Sequence, residues 1–307
     1  MVKKYISPEQ IINRLEKKGM SFIDKAQAKH FFERNNYYRF KSFFIDQLND
    51  TPQDIKVGRT FQQPTTFERI KTRYDFDNII RSVLLGALQD IELTLRETIV
   101  STLSVNGGAF YYEINTYDNN SYTREKLNKF KSILKKNKKN SSRDFIKNAN
   151  PLNLWAAVEI LNFGNLINLI KIMKDTDKNK VSNFFGYKSS TLFINHMNFL
   201  CSLRNKCAHH EILWQHNFID KEGVSPKIPA PWGYTQSQTN FIYNIILILV
   251  RIDNQSIKSK WQWQMFAAPI LNKMDLADLL LGYGFTHTWT DEIKQIKEYI
   301  NSVKNQS

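Results

Sequence analysis

The sequence predicts an all-α fold in which a small helical extension leads into a larger helical bundle. Three observations carry this: helix-entry signals recur along the chain, apolar residues return at intervals of three and four, and strand-like alternation hardly occurs. The extension covers residues 1–60 and the bundle residues 61–307, with a basic insertion at about 121–150.

The first helix announces its own start. In Ser7-Pro8-Glu9-Gln10 a serine stands at the N-cap, a proline at the first helical position and a glutamine where a capping box needs one, and Gly19 closes the helix. The device repeats at Asp24 and Gln27, and again at Thr65 and Glu68. Beyond it, Phe67, Ile70, Tyr74, Val83, Leu84, Ala87, Ile91, Leu95, Ile99 and Leu103 fall mostly three or four apart. That spacing makes one long amphipathic helix, or two in line with a kink at Tyr74–Asp77. Glu92 and Arg96 stand one turn apart on it, either as an ordinary surface ion pair worth about 0.3 kcal/mol or as support for a site.

Paired glycines at Gly107 and Gly108 end this helix. After a lysine-rich run, Pro151 opens another helical stretch with an apolar face of Trp155, Val158, Leu161, Leu166 and Leu169, in which Gly164 marks a kink or a close helix contact. Leu192, His196, Phe199, Leu203 and Cys207 then follow the helical period, so the segment LRNKCAHHEILW, Leu203–Trp214, lies at the C-terminal end of a helix. A loop with Pro226, Pro229 and Pro231 ends that unit, and two further helical segments finish the chain. The apolar run Phe241–Val250 reads as a buried core helix, since a membrane span needs about 18–20 residues.

Charge is uneven. Lysine and arginine total 43 against 29 acidic residues, a formal +14, and the run Ser121–Asn150 holds ten basic and two acidic residues, a net of +8. Such a run draws polyanions through phosphate contacts and counterion release. Its candidate RNA contacts are Lys126, Lys129, Lys131, Lys135, Lys136, Lys138, Lys139, Arg143 and Lys147. A solvated, partly disordered lysine loop accounts for the same composition. Tyr122, Phe130 and Phe145 lie among these residues, placed to stack on single-stranded bases or to pack in a core. The first residues carry lysines with no apolar stretch behind them, and the two cysteines, Cys201 and Cys207, make no disulfide framework. A reduced, cytoplasmic protein away from membranes is expected.

The segment Leu203–Trp214 poses the chemical question. Cys201, Cys207, His196, His209 and His210 are ligands of the right kind for a metal, but their spacing matches no paired zinc arrangement, so neither metal nor cofactor is expected. Cys207 lies on the apolar face and reads as a core residue rather than a nucleophile. Acid–base chemistry remains, because imidazole titrates near neutrality and arginine stabilises charge developing on a phosphate. Arg204 and His209 are five residues apart, which on a helix turning about 100° per residue leaves their side chains about 140° from each other. Either the helix ends between them, or a second copy of the motif completes the site across a dimer. Asn205, one turn before His209, shares its face. A structural helix cap competes equally on these grounds.

A resemblance weighs on this choice. Arg204–His209 has the R-N-x-x-x-H form of the R-x4-H motif of HEPN-superfamily ribonucleases, and RNKCAHH followed by LW resembles the corresponding segment of the Abi-like (abortive infection, AbiD/AbiF) family of bacterial phage-resistance factors. Asn35–Phe44 (NNYYRFKSFF), Tyr74–Ile99 and Leu154–Ile170 resemble further segments of that family in the same order. The resemblance implies a HEPN-like helical bundle and a metal-independent endoribonuclease of a phage-defence or toxin–antitoxin system. In the implied reaction the RNA's 2′-hydroxyl attacks the adjacent phosphorus, with Arg204, Asn205 and His209 catalytic and a homodimer supplying the second motif. His210 positions the phosphate or caps the helix, and Glu92 and Arg96 are candidate supports. Two other readings stand beside this one: a non-cleaving module that holds a structured RNA on the basic region, and a protein–protein regulator.

Overall fold

The computed structural model describes residues 5–50, 58–105 and 111–215, together with 248, 249, 252, 283, 284 and 291. The paired glycines, the proline loop, the closing helical segments and all of Phe241–Val250 except the buried Ile248 and Leu249 lie outside the described residues. Among those described, the fold is all-α, with ten α-helices and one pair of two-residue parallel strands. No helix among them is long and apolar enough to cross a membrane.

Two compact units share the chain, Met1–Ser82 with His210–Trp214, and Val83–His209 with Gln215–Ser307. The boundary between these units lies at Ser82, inside a helix.

The first unit begins with α1 (Pro8–Lys17), β1 (Met20–Ser21), α2 (Lys25–Arg34) and α3 (Tyr37–Lys41). The capping box of α1 is complete: Gln10 N–H donates to Ser7 Oγ at 3.3 Å, and Ser7 N–H donates to Gln10 Oε1 at 2.9 Å. Gly19, at φ +94°, turns the chain into β1 through a conformation that glycine adopts without penalty. The carboxylate of Asp24 caps α2 through the N–H groups of Ala26 and Gln27. β2 (Thr65–Thr66) pairs with β1, and α4 (Phe67–Ser104) follows. Its cap is Thr66, whose Oγ1 accepts from Arg69 N–H at 3.1 Å, and not Thr65, whose residue is used in the pairing with Met20. Phe31, Phe32, Phe40, Phe67 and Tyr74 build the aromatic centre of this unit, with Phe31 and Tyr74 edge to face at 5.1 Å. Each such pair adds about 0.5–1.5 kcal/mol beyond area burial.

α4 is a single helix of 38 residues, unbroken at Tyr74–Asp77. Its later residues enter the second unit with α5 (Ser121–Lys139), α6 (Asp144–Lys147), α7 (Leu154–Glu159), α8 (Phe163–Ile172), α9 (Asp175–Phe184) and α10 (Ser190–Ala208). The basic run is an ordered helix and not a disordered loop. Asn120 caps α5 through Thr123 N–H at 2.8 Å, Thr123, Leu127, Phe130 and Leu134 form a buried stripe, and the lysines of the last turn complement the helix dipole. Pro151 lies outside any helix, and α7 and α8 are separate because Asn162 recaps the chain through Asn165 N–H. Trp155 does not share the apolar face: it is 56 % exposed, while Leu154, Ala156, Ala157 and Val158 of the same helix are buried. Gly164 opens α8 close to α10, and a Cβ there would meet Cys201 Sγ at 3.7 Å, an ordinary contact. α10 packs on α8 and α9 through Phe193, Met197, Leu200, Leu203 and Cys207.

Candidate functional site

The motif occupies the last turn of α10. The helix runs unbroken past Arg204 to Ala208, and His209 caps it at φ −90° and ψ 9°, its N–H donating to the Asn205 carbonyl at 2.9 Å. The helix thus ends between Arg204 and His209, but only at Ala208, too late to carry the two side chains to one side.

Arg204 is held on three sides. Its Nε and Nη2 donate to Glu92 Oε2 at 3.2 and 2.9 Å, and its Nη1 donates to Asn205 Oδ1 at 2.9 Å. The other Glu92 oxygen accepts from Arg96 Nη2 at 2.6 Å, and Arg96 also donates to the Val158 carbonyl. The side chains of Glu92, Arg96 and Arg204 are only 13, 14 and 22 % exposed. Glu92 and Arg96 are thus no isolated surface pair. One carboxylate is shared by two arginines, and the three groups together keep a formal charge of +1. Fixed donors carrying surplus positive charge suit an anion, because their orientation is set before it arrives. Asn205 and His209 are exposed beside them.

Cys207 is buried, and burial pushes the Cys201 thiol above its ordinary value, with the Arg204 charge opposing. Neither is an activated thiolate. His196 is wholly buried with Nδ1 2.8 Å from the Tyr187 hydroxyl. Among the described residues no group of three or more His, Cys, Asp and Glu stands close enough to hold a metal ion.

The residues after the motif belong to the first unit. His210, exposed, takes φ +56°, a left-handed conformation that stops a helix and that a non-glycine residue adopts only when held there. Arg39 donates to the His210 carbonyl, Arg81 donates to the Glu211 carbonyl at 3.4 Å, and Asp77 Oδ1 accepts the N–H groups of both Leu213 and Trp214 at 3.0 Å. Asp77 also pairs with Arg81, and the Arg73 guanidinium lies 4.6 Å from the centre of the Trp214 ring. Asp77, Arg73 and Arg81 are all buried. Sequence reasoning missed these three residues as a group. The available signal was a carboxylate at Asp77 among apolar residues of a helix, which demands partners when buried.

Of the basic candidates, Lys129, Lys131, Lys135, Lys136, Lys139 and Lys147 are exposed on α5 and α6. Lys126 is half-buried with its amine 5.2 Å from the centre of the Tyr122 ring, Lys138 donates to the Ala149 carbonyl, and Arg143 pairs with Glu159 at 2.9 Å. Tyr122 and Phe145 are exposed, whereas Phe130 is in the core.

A family model described as Abi-like protein matches residues 30–215. No curated protein and no solved structure matches.

Proposed function

Because the chain belongs to the Abi-like protein family, whose name points to abortive infection in phage defence, we propose that it acts there as a metal-independent endoribonuclease of the HEPN type. The observation that carries this reading is the last turn of α10, where Arg204 is fixed by Glu92 and Asn205 while the His209 side chain is exposed. In the proposed reaction the 2′-oxygen of RNA bonds to the adjacent phosphorus and the bond to the 5′-oxygen breaks. His209 takes the proton of the attacking hydroxyl, and the leaving 5′-oxygen receives one from a protonated imidazole. Arg204 stabilises the negative charge of the pentavalent transition state. The products are a 2′,3′-cyclic phosphate and a 5′-hydroxyl.

The continuous helix from Arg204 to Ala208 keeps the two side chains about 140° apart around its axis. A homodimer answers this by pairing each Arg204 with the partner copy's imidazole, and RNA, as substrate or regulator, then also engages the basic face of α5. The exposed lysines favour a second reading, a module that holds RNA without cutting it, in which the Glu92–Arg204 tie is purely structural. The test is incubation of the full chain, and of His209→Ala, with mixed single-stranded RNA in excess EDTA, followed by mass spectrometry of the fragment ends. Cyclic-phosphate ends from the parent protein alone support the nuclease. Intact RNA in both, with binding kept, favours the holding module.

A further inference from the structure

Beside α5 lies an open pocket of about 360 Å³ that the R-x4-H chemistry does not use. Its floor is apolar and aromatic, made by Tyr111, Tyr112, Leu134 and Leu152, and its rim carries Lys131 and Lys135, exposed and one turn apart on α5. Lys138 also lines it, but its amine is turned to the Ala149 carbonyl.

The floor is rigid. Tyr111 is buried, its hydroxyl donates to the Leu152 carbonyl at 2.9 Å, its own carbonyl accepts from the buried Tyr117 hydroxyl, and its ring meets Phe130 edge to face. Tyr112 stands edge to face with Tyr111 at 5.3 Å and is half-buried, so part of its surface is open. Planar apolar surface beside two cations one helical turn apart is complementary to a base with a phosphate attached. The volume lies in the range of about 300–1,000 Å³ typical of small-ligand sites and suits one nucleotide. Paired bases stay stacked inside a duplex, so the occupant must be unpaired.

We propose that this pocket anchors one unpaired nucleotide of a single-stranded RNA, its base against Tyr112 and the Leu134–Leu152 floor and its phosphate on Lys131 and Lys135. The inference rests on the reading of RNA as the partner, but not on cleavage. It makes the protein selective for single strands at a site separate from the reacting residues, so that the anchor chooses the strand and the motif acts on it.

The test uses the full chain carrying His209→Ala, so that RNA stays intact during titration. A short single-stranded RNA labelled with fluorescein at its 5′ end, and the same labelled RNA abasic at one internal position, are titrated by fluorescence anisotropy at two salt concentrations. The intact RNA should bind about 5- to 150-fold more tightly than the abasic one, from the range for one stacked base. Tyr112→Ala should abolish that preference. The double variant Lys131→Gln/Lys135→Gln, at two exposed positions that leave the core untouched, should lower the salt slope of affinity by about 0.7, the value for one phosphate contact on a single strand. Equal affinity for intact and abasic RNA overturns the anchor, and so does an unchanged salt slope in the lysine variant. These results are independent of the fragment-end assay: cyclic-phosphate products with no base preference sink the anchor alone, and a base preference without any cleavage sinks the nuclease alone.

Discussion

Replacing Glu92 by glutamine tests whether the Arg96–Glu92–Arg204 triad holds the motif in place. Glu92 accepts at 2.6 Å from Arg96 and at 2.9 and 3.2 Å from Arg204, and all three side chains are less than a quarter exposed. Glutamine keeps the shape but has one acceptor oxygen, so it satisfies one arginine and turns an amide N–H₂ toward the other. Hydrogen bonds to charged groups contribute about 1.5–3 kcal/mol each, and stripping the partner from a fully buried charge costs about 3–5 kcal/mol. For groups that keep some access to water, a loss of about 2–3 kcal/mol follows. Near the melting temperature, at about 2–4 °C per kcal/mol for a large chain, this lowers Tm by about 4–12 °C. The assay is thermal and urea denaturation of the full chain, with RNA cleavage measured well below the transition. Cleavage should fall more than tenfold, because the Arg204 guanidinium loses two of its three anchors. A Tm within about 1 °C of the parent together with unchanged cleavage would refute the claim that the carboxylate organises this turn.

Three other outcomes are expected. Asp77→Asn leaves Arg81 without its buried carboxylate and weakens the hold on Leu213 and Trp214, at a cost of about 3–5 kcal/mol; urea unfolding measures this, and hydrogen exchange should show the two amides opening earlier. Phe40→Ala removes a fully buried ring that touches Phe31, Phe32 and Phe67, and denaturation should report a loss of about 3–5 kcal/mol. Burial pushes the Tyr111 phenol up to about 12, with the neighbouring Tyr112 adding to the shift. Its folded-state value is raised, so its contribution to stability is complete below the ordinary value near 10 and is lost as pH rises from there toward 12; Tyr111→Phe should flatten the alkaline decline in Tm over that window.

Local signals were readable from sequence wherever the physics was local. Ser7, Pro8, Gln10 and Asp24 act within one turn of themselves, and they cap the helices they announce. The repeat from Phe67 to Leu103 gave the long helix because a buried stripe leaves a period in the sequence. The cap of α4 was misplaced by one residue because Thr65 and Thr66 both stand in a strand paired with Met20–Ser21, 45 positions away, and two adjacent threonines do not reveal which of them the helix starts after. Distance along the chain hid the site's supports. Arg204 meets Glu92 across 112 residues and Asp77 meets Leu213 across 136, so the partners could be suspected as polar intrusions in apolar helices but not paired. Trp155 failed for a different reason, since its spacing from Val158 fits an apolar stripe while the short helix α7 buries Leu154, Ala156, Ala157 and Val158 and leaves the indole outside.

The return of His210–Trp214 to the unit begun by the first 82 residues has a consequence for the order in which the molecule assembles. Closing a loop of 136 residues costs about 4 kcal/mol of chain entropy, comparable to what the bonds from Asp77 to two amides contribute. During synthesis Asp77 leaves the ribosome long before these amides exist, when Arg81, four residues on, is a partner already within reach. The piece that completes the first unit is also the piece joined directly to His209. The first unit is therefore incomplete in any chain that stops before Trp214, even one that already carries the whole R-x4-H segment.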